Sequence, residues 1–132
     1  MKDKNILITY IDQNYQENLE YDFLSTLRNV AHYRGPVVVL DYGMDADRCN
    51  RIRDTYNVQI IPCSKDISLF SIRYLHIANI LKSLGRDYDT VLVTDCGDVW
   101  YQDSIDIIFN QAAGGHNIIQ KPHIFCDMMG AL

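Results

Sequence analysis

The sequence predicts an α/β fold in which a mostly parallel sheet carries helices on both faces. Short apolar runs of strand length alternate along the chain with longer segments of helical periodicity, as expected for strand–helix–strand units. The runs are apolar throughout, which is typical of strands that are covered on both faces. The 132 residues suit a single domain, so we treat residues 1–132 as one unit.

Each element follows from its residues. The predicted strands are Ile6–Ile11, Val37–Leu40, Val58–Ile61, Thr90–Thr94 and Asn117–Gln120. The predicted helices are Glu17–Tyr33, Asp45–Tyr56, Leu69–Leu84 and Asp103–Gln111. Gly35-Pro36, Pro62 and Gly85 stand where elements are expected to end, since glycine and proline interrupt regular structure. With right-handed crossovers, this order of elements gives a Rossmann-like sheet.

Composition excludes several classes of protein. The net charge is -5 and no run of Lys or Arg occurs, which argues against a nucleic-acid binder. No apolar stretch approaches the roughly 20 residues that a transmembrane helix needs. The four cysteines form no CxxC pair, which disfavours a zinc site. Free thiols are typical of a reducing compartment, so we expect a cytoplasmic protein.

Polar clusters follow two of the predicted strands. Asp12-Gln13-Asn14-Tyr15 comes after the first strand, and Asp95-Cys96-Gly97-Asp98 comes after the fourth. In open parallel sheets, ligands bind outside the carboxyl ends of the strands, where the strand order reverses. We therefore expect a shared binding site at these two loops.

The carboxylates of Asp95 and Asp98 are candidate metal ligands. Two neighbouring carboxylates repel unless a cation lies between them, and Mg²⁺ or Mn²⁺ prefers such oxygen ligands. Gly97 between them is expected to supply a backbone conformation that other residues resist. The alternative interpretation is structural, with one aspartate capping a helix and the other solvated.

The other candidate ligand contacts also have two interpretations. Asp12 and Asn14 can face a ribose or base, with the ring of Tyr15 available for stacking, or they can cap the helix that follows. Arg73 lies within a largely apolar helix face, where its guanidinium can pair with a phosphate, a site carboxylate or a structural aspartate. The chain has no GxGxxG, GxxxxGK[ST] or GxSxG motif, and its histidines form no HxH or HExxH pattern.

Three segments carry a resemblance to a known family. They are "ILITYIDQNYQENL", "LFSIRYLHIANIL" and "DTVLVTDCGDVWYQDSIDIIF". Together they resemble the nucleotide-sugar-binding half of GT-A-fold glycosyltransferases, nearest to the family-eight group that includes galactosyltransferases and glycogenin. The resemblance implies that Asp12, Asn14 and Tyr15 contact the uracil and ribose of UDP, with Tyr10 near the base. It also implies that Arg73 lies on the helix before the strand that leads into the metal-binding motif, and that this motif comprises Asp95 and Asp98.

The resemblance spans about residues 5–125 and differs from the family in its acidic motif, which is usually D-x-D and here is D-x-x-D. It implies a Mn²⁺- or Mg²⁺-dependent hexosyltransferase that binds a UDP-sugar and acts on an unknown acceptor. The region covered matches only the first half of a full enzyme, and the ending "CDMMGAL" is unlike a domain terminus, so we expect a truncated chain. We also expect exposed apolar surface and self-association into a homo-oligomer.

Two other functions remain open at this point. A non-catalytic nucleotide-sugar-binding or interaction module would keep the same fold without turnover. A nucleotidyltransferase shares the sheet and metal chemistry, but typically has a Gly-rich loop bearing Lys or Arg after its first strand. That loop is Asp-Gln-Asn-Tyr here, which argues against the second alternative.

Overall fold

A parallel four-stranded sheet forms the centre of the molecule. The computed structural model describes residues 5–63, 69–84 and 88–113, leaving aside the side chains of residues 69–74, 84 and 113. The strands are β1 (Asn5–Ile11), β2 (Val37–Asp41), β3 (Gln59–Pro62) and β4 (Thr90–Val93). Their order is β3-β2-β1-β4, and all three pairings are parallel. The predicted α/β fold with its parallel, Rossmann-like sheet is confirmed.

Helical segments connect the strands. Between β1 and β2 the chain forms a 3₁₀ turn (Gln13–Tyr15), α1 (Gln16–Asn18), a π-helical segment (Leu19–Leu24) and α2 (Ser25–Asn29). The later helices are α3 (Ala46–Tyr56), α4 (Leu69–Leu84) and α5 (Asp106–Ala113). The bounds of α4 are those that its apolar periodicity predicts. Among the described residues, each helix falls short of the length and apolarity that a membrane crossing needs.

Two apolar clusters cover the two faces of the sheet. Residues that alternate along β1 divide between them, with Leu7 and Ile11 on the first face and Ile6 and Ile8 on the second. On the first face the sheet packs against α2, the π-helical segment, α3 and α5, through buried residues such as Phe23, Leu27, Ile52 and Phe109. On the second face it packs against α4 through Ile77, Ile80 and Leu81. Helices on both faces explain why β1 and β2 are apolar along almost their whole length.

Strand β4 is less covered than its sequence predicts. Val91 and Val93 are 37% and 40% exposed, whereas their partners Ile6 and Ile8 on β1 are fully buried. The expectation of a buried fourth strand is therefore wrong for its second face, because β4 is the outermost strand of the described sheet. The predicted fifth strand, Asn117–Gln120, lies outside the described residues.

Two helix ends differ by three or more residues from their predicted positions. The first helical stretch ends at Asn29 and not at Tyr33, because His32 takes a left-handed conformation with φ 54°. The last helix begins at Asp106 and not at Asp103, since side chains just before it bind the main chain. Ser104 Oγ accepts a hydrogen bond from the N–H of Asp106 at 3.1 Å, and an Asp103 oxygen accepts one from the N–H of Ser104.

Candidate functional site at the carboxyl edge of the sheet

The two polar loops lie side by side at the carboxyl edge of the sheet. Strands β1 and β4 are neighbours, with Ile8 opposite Val93, so the loops that follow them emerge at the same edge. The strand order also reverses here, since β2 and β3 extend to one side of β1 and β4 lies on the other. This is the position at which open α/β sheets bind their ligands. The structure thus brings together the loops that the sequence predicted to share a site.

The turn after β1 is held by its own aspartate. Asp12 has an extended backbone, and its Oδ1 accepts a hydrogen bond from the N–H of Asn14 at 2.9 Å. This is the capping arrangement that favours aspartate at a helix start. Asn14 is exposed, and the ring of Tyr15 is 53% exposed. Asp12 therefore acts as a cap, while Asn14 and Tyr15 face solvent.

The loop after β4 holds its first aspartate in place with backbone hydrogen bonds. Asp95 Oδ1 accepts hydrogen bonds from the N–H groups of Cys96 at 2.7 Å and Gly97 at 3.3 Å. Asp98 is exposed, and among the described residues its carboxylate has no hydrogen-bond partner. The loop thus presents one fixed carboxylate and one that is open to a ligand.

Cys96 anchors the same loop to the core. Its side chain is fully buried, and its thiol donates a hydrogen bond to the carbonyl of Tyr10 at 3.2 Å. Burial raises the pKa of this thiol to about 12, and the charges of Asp95, Asp12 and Asp98 act in the same direction. Because a protonated thiol is a poor nucleophile, Cys96 serves as an anchor and not as a reacting group.

The segment after Asp98 is fixed to the first helical stretch. The N–H of Tyr101 donates to Thr26 Oγ1 at 2.7 Å, and the Tyr101 ring meets Phe23 edge-on at 5.3 Å between centroids. The Thr26 hydroxyl donates in turn to the main-chain carbonyl of Asp22. These contacts connect the loop after β4 to the helices that follow β1.

Gly97 and Tyr15 bring the two loops into direct contact. A Cβ atom placed on Gly97 would lie 3.3 Å from both Cγ and Cδ1 of Tyr15. The Tyr15 ring therefore rests against the backbone of the acidic loop, with about half of its surface open. A planar ligand that stacks on this ring would lie next to the carboxylates of Asp95 and Asp98.

Tyr10 and Arg73 are the two predicted site residues that belong to regular elements and not to these loops. Tyr10 is 9% exposed and packs in the apolar cluster against α4, so its ring contributes to the core. Arg73 belongs to α4, as predicted, but its side chain lies outside the described part of the structure.

The described residues contain no group of three or more His, Cys, Asp or Glu side chains arranged to hold a metal ion. Two carboxylates still suit Mg²⁺ or Mn²⁺, because these ions usually keep waters and substrate phosphates as their remaining ligands. A depression of about 230 Å³, lined by Pro36, Asn57 and Tyr88 among others, lies at the opposite, amino edge of the sheet.

Several residues that support the site were missed by the sequence interpretation. Gln16 is buried, and its side chain exchanges two hydrogen bonds with Asp45, at the start of α3. Glu20, also buried, pairs with Arg48 and Arg51 of α3, and the hydrogen bond from Arg51 is the main reason that its pKa is lowered. The helical pattern does not distinguish Glu20 from exposed glutamates, and its two arginine partners are about 30 residues away in sequence. These ion pairs could therefore not be predicted from the local sequence.

Comparison with protein-family models, with curated proteins and with solved structures gave no match. The class that the fold and site define is a parallel α/β sheet with acidic and aromatic loops at the point where its strand order reverses.

Proposed function

We propose that this chain is the nucleotide-sugar-binding part of a metal-dependent glycosyltransferase of the GT-A type, with a UDP-sugar as donor. The observation that supports it best is the contact between the Asp12–Tyr15 turn and the Asp95–Asp98 loop at the carboxyl edge of the sheet. One loop offers an aromatic ring and amide groups to a nucleoside, and the other offers carboxylates to a phosphate-bound cation. A nucleoside diphosphate is long enough to reach both.

The roles follow from what each side chain exposes. Asp95 and Asp98 would hold Mn²⁺ or Mg²⁺, which supplies Lewis-acid stabilisation of the charge that develops on a leaving diphosphate. Tyr15 offers the open face of its ring, and Asn14 offers an exposed amide for the base or ribose. Arg73 is the proposed phosphate partner on α4, and Asp12 acts by holding the turn.

A second candidate is a non-catalytic module that binds a nucleotide sugar without transferring it. The observation that favours it concerns the described site, in which the thiol of Cys96 is fully buried and bonded to the Tyr10 carbonyl, so that it is not accessible to a substrate. This thiol is also protonated. Turnover of UDP-glucose in the presence of Mn²⁺ separates this candidate from an active transferase.

The proposal also covers assembly and location. The exposed valines of β4 would support a homo-oligomer, since apolar patches on a sheet edge favour association. We propose that the protein works in the cytoplasm on the basis of the free thiols of the three described cysteines, Cys49, Cys63 and Cys96.

The metal assignment is tested by replacing Asp98 with asparagine and measuring UDP binding by calorimetry, with and without Mn²⁺. Asp98 is exposed and makes no hydrogen bond within the described structure, so Asp98→Asn should leave the fold intact. We expect wild-type binding to be tighter in Mn²⁺, by about tenfold or more, and this gain to disappear in the variant. Loss of one carboxylate ligand is the reason.

Asp103→Asn is the matched control. Asp103 is an exposed aspartate in the same segment, and its oxygen accepts only a local hydrogen bond from Ser104, which asparagine can also accept. This variant has the same loss of charge and should keep the full Mn²⁺ effect. An unchanged Mn²⁺ effect in Asp98→Asn would refute the metal site, and absence of UDP binding by the wild type would refute the proposed function.

A further inference from the structure

The glycine of the acidic loop has no conformational reason to be a glycine. Among the described glycines, a positive φ occurs at Gly43 (131°) and not at Gly97. A left-handed φ is the conformation that other residues resist. The expectation that Gly97 supplies a special backbone conformation is therefore wrong, and an alanine could adopt the same φ.

The reason lies in the space beside Gly97. An added Cβ would meet the Tyr15 ring at 3.3 Å, which is closer than carbon atoms normally pack, and the Tyr15 Cβ at 3.7 Å. At this distance the ring must give way by a few tenths of an ångström, and because Tyr15 is about half exposed it can do so at little cost to the core. A methyl group at position 97 would therefore move the ring and leave the fold unchanged.

We infer that Gly97 is a positioning residue for nucleotide binding, one that sets the place of the Tyr15 ring relative to the Asp95 and Asp98 carboxylates. This inference rests on the proposed function, because it concerns how the two loops share one ligand. With the ring against the loop backbone, a base stacked on Tyr15 lies at a fixed distance from the carboxylates. With the ring displaced, a base that stacks on it lies at a different distance from the carboxylates. The ligand then cannot make both contacts at their best geometry.

The experiment is a double-mutant cycle measured by calorimetry with UDP and Mn²⁺. Gly97→Ala should weaken binding by about tenfold, within the range that loss of base stacking on an aromatic ring produces. In a Tyr15→Ala background the same substitution should have no further effect, because no ring is left to displace. In a Tyr15→Phe background it should keep its full effect, because the contact is with ring carbons and not with the hydroxyl.

NMR of the ligand-free protein gives an independent readout of the ring position. In the wild type, the Hα protons of Gly97 should show a ring-current shift that Tyr15→Ala removes. In Gly97→Ala, the ring resonances of Tyr15 should change relative to the wild type, since the new methyl group displaces the ring. Unchanged thermal unfolding of this variant would confirm that the effect on binding is positional.

Three outcomes would overturn the inference. UDP binding that is unaffected by Gly97→Ala would do so, as would an equal loss in the Tyr15→Ala background. Ring resonances of Tyr15 that are unchanged by Gly97→Ala would show that the ring stays in place. If the wild type binds UDP and only these tests fail, the proposed function stands without the role of Gly97. If the wild type does not bind UDP, both fail.

Discussion

Two buried thiols, Cys49 and Cys96, should make the fold less stable at alkaline pH. Cys49 and Cys96 are buried, and burial raises their pKa values from 9.0 to about 11 and about 12. Between pH 9 and these values, the unfolded chain loses thiol protons that the folded chain keeps. The free energy of unfolding is therefore unaffected by these thiols below pH 9 and falls as the pH rises above it.

The size of this effect can be measured by urea unfolding near pH 8 and near pH 10 under reducing conditions. Each thiol should lower the free energy of unfolding by about 1.4 kcal/mol across that interval, the equivalent of one pKa unit. Cys96→Ala removes one of the two groups, so its loss across the same interval should be smaller by about that amount. Equal losses in the wild type and the variant would show that Cys96 ionises normally in the folded state.

At the residue scale, the position of the site could be predicted from sequence but its internal contacts could not. A polar cluster directly after an apolar run marks a strand end, which is how Asp12 and Asp95 were placed at one edge. The bond from Cys96 to the Tyr10 carbonyl joins residues 86 positions apart, and spacing carries no signal over that distance. Tyr10 was predicted to lie near a base, and in the structure it is buried in the apolar cluster against α4. Sequence alone does not decide whether a single aromatic residue in an apolar run faces a ligand or the core.

At the element scale, Arg28 connects the end of α2 to the end of α3. This side chain is 7% exposed, and its guanidinium donates to the carbonyls of Tyr33, Gly35, Tyr56 and Asn57 at 2.7–3.3 Å. Carbonyls that lose a buried partner are costly to leave unpaired. Arg28 thus holds together the two turns that lead into β2 and β3.

Replacement of Arg28 by methionine should lower the free energy of unfolding by about 3 kcal/mol in urea denaturation, because several carbonyls lose their donor together. The control is Arg53→Met, in which an exposed arginine bonded only to Asn50 is removed. That change should cost less than about 0.5 kcal/mol. Similar losses for both variants would mean that the four carbonyl contacts contribute little.

The regular elements were predictable because a buried parallel strand is an apolar run and an amphipathic helix repeats at 3.6 residues. Strands β1 to β4 and helix α4 were located in this way, within a residue or so at each end. The π-helical segment Leu19–Leu24 was not, since its apolar spacing fits an ordinary helix equally well. The exposure of β4 was also not predicted. An apolar sequence predicts a buried strand whether or not another element of the fold covers it.

At the scale of the whole molecule, the uncovered face of β4 should govern association. Val91 and Val93 are exposed on an apolar strand at the edge of the described sheet, and neither is flanked by a lysine or proline that would discourage edge pairing. Replacing both by threonine keeps the preference for strand conformation and makes the face polar. In sedimentation velocity, the wild type should form dimers or larger species, and the double variant should shift toward monomer.

Val30→Thr is the control for this experiment. Val30 is 43% exposed but lies at the end of α2, away from the sheet edge. This variant should associate as the wild type does. A monomeric wild type at the same concentration would rule out association through β4.

The large sequence separation between β1 and β4 affects how often the candidate site opens. Strands β1 and β2 each pair with the next strand in the sequence. Strand β4 instead pairs with β1, and the paired residues are more than 80 positions apart in the chain. Only four residues of β4 take part in this pairing, at the edge of the described sheet. Contacts this distant in sequence are slow to form, and marginal strands open before central ones. We expect amide exchange to be faster in β4 than in β1 and β2. The acidic loop would then detach and redock while the rest of the sheet stays folded, and a bound nucleotide would slow that motion.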